Sequence, residues 1–304
     1  GQLDWQLSDA WSMVADLRWE SMHYDYDNLS LDGRTRDDGT ACGFGGCRYS
    51  RPADRRDRFE HVSPKLELRY QPSSHWQWSF RVADAFRAPQ ATELYRLQRA
   101  QTVAELDVVN ALSTEFAVRY TSERIVASLV AFDSQFDNLI IRDSDFFNVD
   151  GQAVDSQGLE LAVQWQINSA WQWRLNGSWA THRYASDQLV GEVNLNGNLV
   201  DTAPKHFGST QLRWSPNANV SLQAEWQHMG AYFTDPENQH RYPGHDLLHL
   251  RGQLRLDEDW AVSMRVNNLL NTRYAERADF TSFTGDRYFP GQPRSAFISL
   301  EWQY

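Results

Sequence analysis

Along most of the chain apolar and polar residues alternate with a period of two, in segments of about eight to twelve residues, the signature of half-buried β-strands. In 158–167, Leu159, Leu161, Val163, Trp165 and Ile167 share one face, and Glu160, Ala162, Gln164 and Gln166 the other. Segment 171–179 sets Trp171, Trp173, Leu175 and Trp179 against Gln172, Arg174, Asn176 and Ser178, and 220–227 and 248–256 repeat the pattern. The same reading predicts strands at 2–7, 11–25, 57–70, 76–86, 112–120, 124–135, 205–214, 260–267 and 295–304, which makes thirteen in all. Only 124–135 blurs the alternation, through Ile125, Val126, Leu129 and Val130.

The predicted connections alternate strictly in length. Short polar turns fall at Ser8–Ala10, Gln71–His75, Thr121–Glu123, Asn168–Ala170, Ser215–Asn219 and Asp257–Asp259. Between them lie long loops rich in Gly, Asp and Asn near 26–56, 87–111, 136–155, 185–204, 229–246 and 279–292. Loops of that length are uncommon in a compact domain and usually functional. Short turns at one end and long loops at the other are the pattern of an outer-membrane barrel.

Tryptophan bears on the same question. Ten of the 13 tryptophans lie at one level: Trp5, Trp11, Trp76, Trp78, Trp165, Trp171, Trp173, Trp214 and Trp260 beside short turns, and Trp302 near the last residue. A carbohydrate platform would gather tryptophan on one patch, whereas a ring spread over many strands at one height is an interfacial girdle. A β-propeller would place four short strands in each repeat, and here each holds two long strands and one long loop. The predicted fold is therefore all-β: an antiparallel transmembrane β-barrel. Bacterial barrels of one chain have even strand numbers, and thirteen is odd. The last strand ends on the short-turn side with Leu300, Trp302 and Tyr304, as a C-terminal assembly signal would. The first strand starts on the long-loop side, so further strands are expected before Gly1.

Composition narrows the partners. The 304 residues carry a net charge of −11, from 29 basic and 40 acidic side chains, which argues against the basic footprint that nucleic acid requires. No stretch approaches the ~18–20 apolar residues of a membrane helix. Lys65 and Lys205 are the only lysines; the other basic residues are arginine, through GC-rich codon usage or a need for forked donors that pair carboxylates. The polar strand face carries Arg18, Arg69, Arg119, Arg174, Arg213, Arg251, Arg255 and Arg265 with Glu20, Glu67, Glu115, Glu160, Glu225 and Glu301. Such a wall hydrates a lumen, grips a polar plug, or simply pairs with itself. Cys42 and Cys47, in Cys-Gly-Phe-Gly-Gly-Cys, are the only cysteines and read as a disulfide pinning a loop tip, since structural zinc would want four ligands. Asp143, Asp145 and Asp150 depart from the spacing of a calcium loop and read as a solvated turn. No G-x-S-x-G, P-loop or H-E-x-x-H appears, so no cofactor, resident metal or catalytic set is expected.

Four segments carry a resemblance. Phe86-Arg-Ala-Pro-Gln-Ala-Thr-Glu-Leu-Tyr95 is similar to the FRAP…EL stretch of TonB-dependent outer-membrane receptors. Asn148-Val-Asp-Gly-Gln-Ala153 with Gln157-Gly-Leu-Glu-Leu161 resembles that family's N…A…G-E strand start. Asn267-Asn-Leu-Leu-Asn-Thr-Arg-Tyr274 looks like its NLF-D-x-x-Y stretch, and Tyr288-Phe-Pro-Gly-Gln-Pro-Arg294 like its PG-x-P-R approach to the last strand. The four occur in the family's order across about residues 80–304. The resemblance implies that residues 1–304 are one barrel region, the C-terminal thirteen of 22 strands, without signal peptide, plug, TonB box or the first nine strands. It implies active uptake of a scarce ligand, most simply an iron–siderophore complex, across the outer membrane of a Gram-negative bacterium. The partners implied are the TonB complex through the plug, outer-membrane lipid and lipopolysaccharide, the barrel-assembly machinery, and a small-molecule metal chelate. A passive porin-like barrel and, further off, a barrel enzyme remain alternatives. For the ligand, Tyr232, His240, Arg241, Tyr242 and His245 in one long loop, with His23, Tyr24 and Tyr26 at the top of the second strand, gather where an extracellular chelate would arrive. Tyrosine and arginine suit anionic aromatic chelates by stacking and charge. Ordinary loop chemistry with an upper aromatic girdle is the plain alternative.

Overall fold

The computed structural model describes residues 1–29, 40–41, 49–98, 101–142, 147–187, 189–190, 192–281 and 284–302. Cys42, Cys47, Asp143, Asp145 and Tyr304 lie outside the described residues, and with them the expected disulfide and the last residue of the assembly signal. Thirteen strands form one antiparallel sheet in which each strand pairs with its neighbours along the chain. They are β1 (Gln2–Gln6), β2 (Trp11–Tyr26), β3 (Arg55–Tyr70), β4 (Trp76–Arg87), β5 (Val109–Thr121), β6 (Ile125–Arg142) and β7 (Asn148–Gln166). Then follow β8 (Trp171–Tyr184), β9 (His206–Asn217), β10 (Val220–Met229), β11 (His245–Arg255), β12 (Trp260–Asn267) and β13 (Ser295–Trp302).

The short turns join β1–β2, β3–β4, β5–β6, β7–β8, β9–β10 and β11–β12 as the pattern predicts. Three of them close by one device, in which a side-chain oxygen takes over two backbone donors. Asn168 Oδ1 accepts from the N–H groups of Ala170 and Trp171 (2.9 and 3.0 Å), Asn217 Oδ1 from Asn219 and Val220 (2.9 and 3.1 Å), and Asp257 Oδ1 from Asp259 and Trp260 (2.9 and 2.8 Å). The tryptophan girdle is a set of contacts between adjacent strands at this end. Ring centroids lie 4.5 Å apart for Trp11 and Tyr70, 4.8 Å for Trp76 and Tyr120, 6.0 Å for Trp171 and Trp214, and 6.1 Å for Trp260 and Trp302.

The register places Leu17, Leu66, Phe80, Leu161, Leu212, Leu222, Leu254 and Leu300 on the girdle's face, and all are exposed. A water-soluble sheet would bury such a surface, and this one has the composition of a lipid-facing wall. Trp19, Trp179 and Trp226 stand on the same face toward the long-loop end. Trp171 and Trp179 are eight residues apart on β8, about 26 Å along the strand, or about 20 Å of height at the usual tilt of barrel strands, so the two aromatic levels flank most of an apolar band about 25 Å tall.

The opposite face carries the mixed charges. Arg69 Nε donates to Glu67 Oε1 (2.7 Å), Arg81 pairs with Glu115, and Arg251 Nη1 lies 3.0 Å from Glu225. Glu225 is buried and also accepts from the Nε2 groups of Gln211 and Gln227 (3.2 and 3.1 Å). The self-paired reading of this wall therefore holds in part. Arg213 instead donates to Ser221 Oγ (2.9 Å), and Arg265 lies over the Phe297 ring at 5.0 Å.

Three expected loops are more ordered than the pattern suggests. The 136–155 loop is mostly strand, because β6 runs on to Arg142 against β7. Register shifts between Phe136 and Ile141, with Asn138 at φ 56°, break the period of two there, which is why alternation fails to reveal the strand. The loop that contains 279–292 holds a hairpin, Ala275–Thr281 against Gly285–Pro290. Its cross-strand bond is ionic, with Asp279 between Arg277 (3.0 Å) and Arg287 (2.5 Å), so it lacks an apolar signature. In the 229–246 loop, Tyr232–Phe233 pairs with Arg241–Tyr242.

Candidate functional site

The long-loop end carries two built clusters over the sheet. The first begins where β3 and β4 part. They pair only from Tyr70↔Trp78 to Lys65↔Ala83, next to Pro64, which has no N–H for a ladder. Beyond that point His61 bridges the gap, 2.5 Å from Asp84 Oδ1 and stacked on Phe86 at 4.7 Å. The chain after β4 then folds back over the sheet. Ala91–Tyr95 forms one helical turn whose Glu93 accepts from the Gln90 N–H (2.7 Å) and from Arg87 Nη1 (2.8 Å). Leu94 and Leu97 are fully buried with Phe59, Tyr95, Ala104 and Leu106.

Tyr24 and Tyr26 belong to this cluster. Tyr26 stacks on Tyr95 (4.4 Å between centroids, 4° between planes), and Tyr24 donates to the Pro89 carbonyl (3.0 Å). Tyr95 donates to Asp57 Oδ2 (2.7 Å), which Arg55 grips from its other side; burial and that carboxylate push the Tyr95 phenol up. Asn148, at the start of β7, ties the segment down by donating to the Glu93 carbonyl (2.8 Å) and exchanging two bonds with the Gln101 amide (2.9 and 3.0 Å). These bonds give the FRAP…EL and N…A motifs a joint physical role: they anchor one folded loop to two pairs of strands.

The second cluster holds Tyr232, His240, Tyr242 and His245. The Tyr242 oxygen accepts the Ala275 N–H (3.0 Å), its hydroxyl donates to the Ala275 carbonyl (3.4 Å), and it shares a further hydrogen bond with His245 Nδ1 (2.8 Å). Tyr232 O accepts the Ala278 N–H (2.9 Å). Both phenols are buried, and burial raises their pKa values above the ordinary 10.0. Asp235, buried, accepts the N–H groups of Gln239 and His240 (3.0 and 2.6 Å), and the His240 ring stacks on Phe280 at 3.6 Å. The aromatic groups of this loop are thus engaged in docking the 275–290 hairpin, and Arg241 is exposed.

His23 stands apart from Tyr24 and Tyr26, because neighbours on a strand point to opposite faces; it reaches Ser21 Oγ on the outer side (2.9 Å). No hydrogen bond or ring contact joins the two clusters among the described residues. The sequence reading gave no role to Tyr95, although that residue closes the FRAP…EL stretch, and missed Arg55, Asp57 and His249, whose Nδ1 accepts the Asn268 N–H (3.3 Å). No group of three or more His, Cys, Asp or Glu side chains suited to a metal occurs among the described residues. On the inner wall Glu160, Asn176, Ser178, Phe207, Gln227 and Met229 line an open recess of about 520 Å³, a polar and apolar mixture of the kind that accepts a packed segment or a small ligand.

The remaining two motifs form a hub under the 275–290 hairpin. Asn268, buried and at φ 48°, donates to the carbonyls of Thr272 (2.9 Å) and Gln292 (3.2 Å) and accepts the Thr272 N–H (2.9 Å). Asn271 Oδ1 accepts the Arg294 N–H (3.1 Å). Gly291 donates to the Tyr274 carbonyl (3.0 Å), and a Cβ at Gly291 would stand 2.1 Å from the Tyr274 ring.

Comparisons with known proteins agree with this architecture. A family model described as "TonB dependent receptor-like, beta-barrel" matches residues 1–269, which includes the first 80 residues that only the strand pattern had supported. The fold is similar to the ferric yersiniabactin uptake receptor from Yersinia pestis (TM-score 0.76, 16% identity, covering 100% of this chain and 44% of that one). It is also similar to a siderophore receptor from Acinetobacter baumannii (0.79, 12%, 100% and 42%) and to a copper transporter (0.76, 15%, 100% and 48%). The chain spans less than half the length of each of these structures. With residues 1–269 matched in sequence and thirteen strands matched in space, the chain belongs to the TonB-dependent receptor β-barrel family.

Proposed function

We propose that this chain is the barrel wall of a Gram-negative outer-membrane receptor that takes up an iron–siderophore complex, energised through TonB. The observation that carries the reading is family membership over residues 1–269, joined to a fold similar to that of ferric-chelate receptors. The built loops support it. Two aromatic clusters brace the long-loop end, and the inner wall below them is polar, an arrangement for holding a ligand above a lumen rather than for chemistry. In this reading the exposed Arg241 and the loop edges of the two clusters meet the chelate, while Tyr24, Tyr26, Tyr232 and Tyr242 keep those edges in place. TonB acts through a plug, and Leu300, Trp302 and Tyr304 address the chain to the barrel-assembly machinery.

The test is uptake of radioactive iron by cells that express the whole reading frame under iron limitation. Uptake that exceeds the empty-vector strain and falls to its level on adding a protonophore or deleting TonB is the expected result. Uptake that survives both treatments would make the barrel a passive pore. The likeness to a copper transporter sets a second cargo to test in the same cells: copper accumulation without iron uptake would move the cargo to copper.

A further inference from the structure

His249 joins the inner wall to the hub beneath the 275–290 hairpin. It stands on β11 opposite Glu225 of β10, and its Nδ1 accepts the backbone N–H of Asn268 (3.3 Å). That bond selects the tautomer: the neutral ring carries its proton on Nε2, which is buried and has no hydrogen-bond partner among the described residues. Asn268 is itself buried and sits at φ 48°, in the left-handed region where a residue other than glycine is held by the bonds around it. Its side chain reaches Thr272 on one side and Gln292 on the other, so both ends of the segment between β12 and β13 hang on this one residue. The hub is in turn tied to the wall by two backbone donors, Leu269 N–H to the Leu248 carbonyl (2.7 Å) and Asn268 N–H to the imidazole.

Of these two acceptors only the imidazole is conditional. A second proton goes to Nδ1, the ring nitrogen that holds the lone pair, and turns an acceptor into a donor aimed at another donor. Imidazole takes up that proton, by its ordinary chemistry, between about pH 8 and pH 5. The charged groups around the ring are Glu225 on β10, Arg251 two residues along β11 and 3.0 Å from Glu225, and Arg265 on β12, the cross-strand partner of Arg251. The hub adds the exposed Arg273 and Arg294, whose Nη1 donates to the Leu269 carbonyl (3.4 Å). His245, four residues back along β11, is bonded to Tyr242 (2.8 Å). We propose that His249 is an acid-sensitive joint: neutral, it holds the Asn268 hub against the inner wall, and doubly protonated, it lets the hub go. The hairpin's bonds to Tyr232 and Tyr242 do not involve this proton, so the change is confined to the hub and the approach to β13. The inference stands on the geometry of the hub and is independent of the cargo.

The test is hydrogen exchange read by mass spectrometry on protein expressed from the whole reading frame and purified in detergent, at pH 7.5 and pH 5.5, corrected for the intrinsic pH dependence of exchange. Peptides covering 268–274 and 291–294 are expected to lose protection about tenfold at the lower pH, the effect of one buried donor left without its acceptor, while the strand amides of 247–255 keep theirs. His249→Asn places a carbonyl oxygen where Nδ1 stands, an acceptor that does not titrate. This variant is expected to stay protected at both pH values, and His249→Leu, without an acceptor, to be loosened at both. Heat-modified migration on a gel checks that each variant is folded. Unchanged protection of the hub in the unaltered protein between the two pH values would overturn the proposal, whatever the variants do. An acid-induced loss that persists in folded His249→Asn would overturn it too, and would move the response to another titrating group such as His240 or His245.

Discussion

Gly291 has no room for a side chain. The Tyr274 ring occupies the space a Cβ would take, and the same two residues share a backbone hydrogen bond of 3.0 Å that leads the chain into β13. Gly291→Ala is therefore expected to push Tyr274 away and destabilise the barrel by about 1–3 kcal/mol, seen as an earlier urea midpoint in detergent. A second prediction at this scale concerns Tyr232 and Tyr242. Their folded pKa values are raised by burial, so their contribution is present in full below the ordinary value of 10.0 and is lost as pH rises through the raised values. The 275–290 hairpin should resist protease up to that range and then be cut, in step with tyrosinate absorbance; cleavage that begins near neutral pH would refute the coupling. Sequence reading picked out both tyrosines, but as ligand contacts. Their docking role depends on Ala275 and Ala278, more than thirty residues away, and no local pattern carries that information.

A barrel strand is legible because its two faces meet different solvents. Along β7 and β8 the outward Leu159, Leu161, Trp173 and Trp179 alternate with the inward Glu160, Asn176 and Ser178, and the predicted and observed strands coincide at the turn ends. Where one face stops meeting lipid, alternation loses its cause. That is why the upper halves of β6 and β7, braced by loops and bulged near Asn138, went unread, and why the hairpin built on Asp279 did too. The face assignment itself is open to test. Val163→Arg, on the outer side opposite Leu175 and so midway between Trp171 and Trp179, is expected to cost about 2–4 kcal/mol in bilayers, while Ser178→Arg on the inner side, opposite Glu160, costs less than about 1 kcal/mol. Unfolding by urea from lipid vesicles measures both, and equal costs would reject the lipid-facing side.

For the whole molecule, the sheet's order is the order of the chain, so each pairing is with a sequence neighbour. Such a fold is set by turn lengths and strand phase, without long crossovers. The loops do the long-range work: the 87–108 segment joins the tops of β2 and β3 to β7, and the 275–290 hairpin rests on the 229–246 loop. If energised uptake is the activity, these braces matter to it, and protonophore-sensitive iron uptake by cells carrying the whole reading frame is the molecule-scale measurement.

Strand count, turn positions, the tryptophan girdle and the two-faced wall were determined by the sequence alone, because each follows from short-range alternation between lipid and water. The resemblance to TonB-dependent receptors was equally legible, since its motifs are local. Tertiary structure decided which loop residues meet. It put His23 on the opposite face from Tyr24 and Tyr26, gave the hydroxyls of Tyr232 and Tyr242 to a distant hairpin, and gathered Lys205, His206, His228 and Arg241 at one rim. Those meetings depend on how loops of unequal length fold back over the sheet, and loop closure is governed by distant contacts, not by the period of the strands.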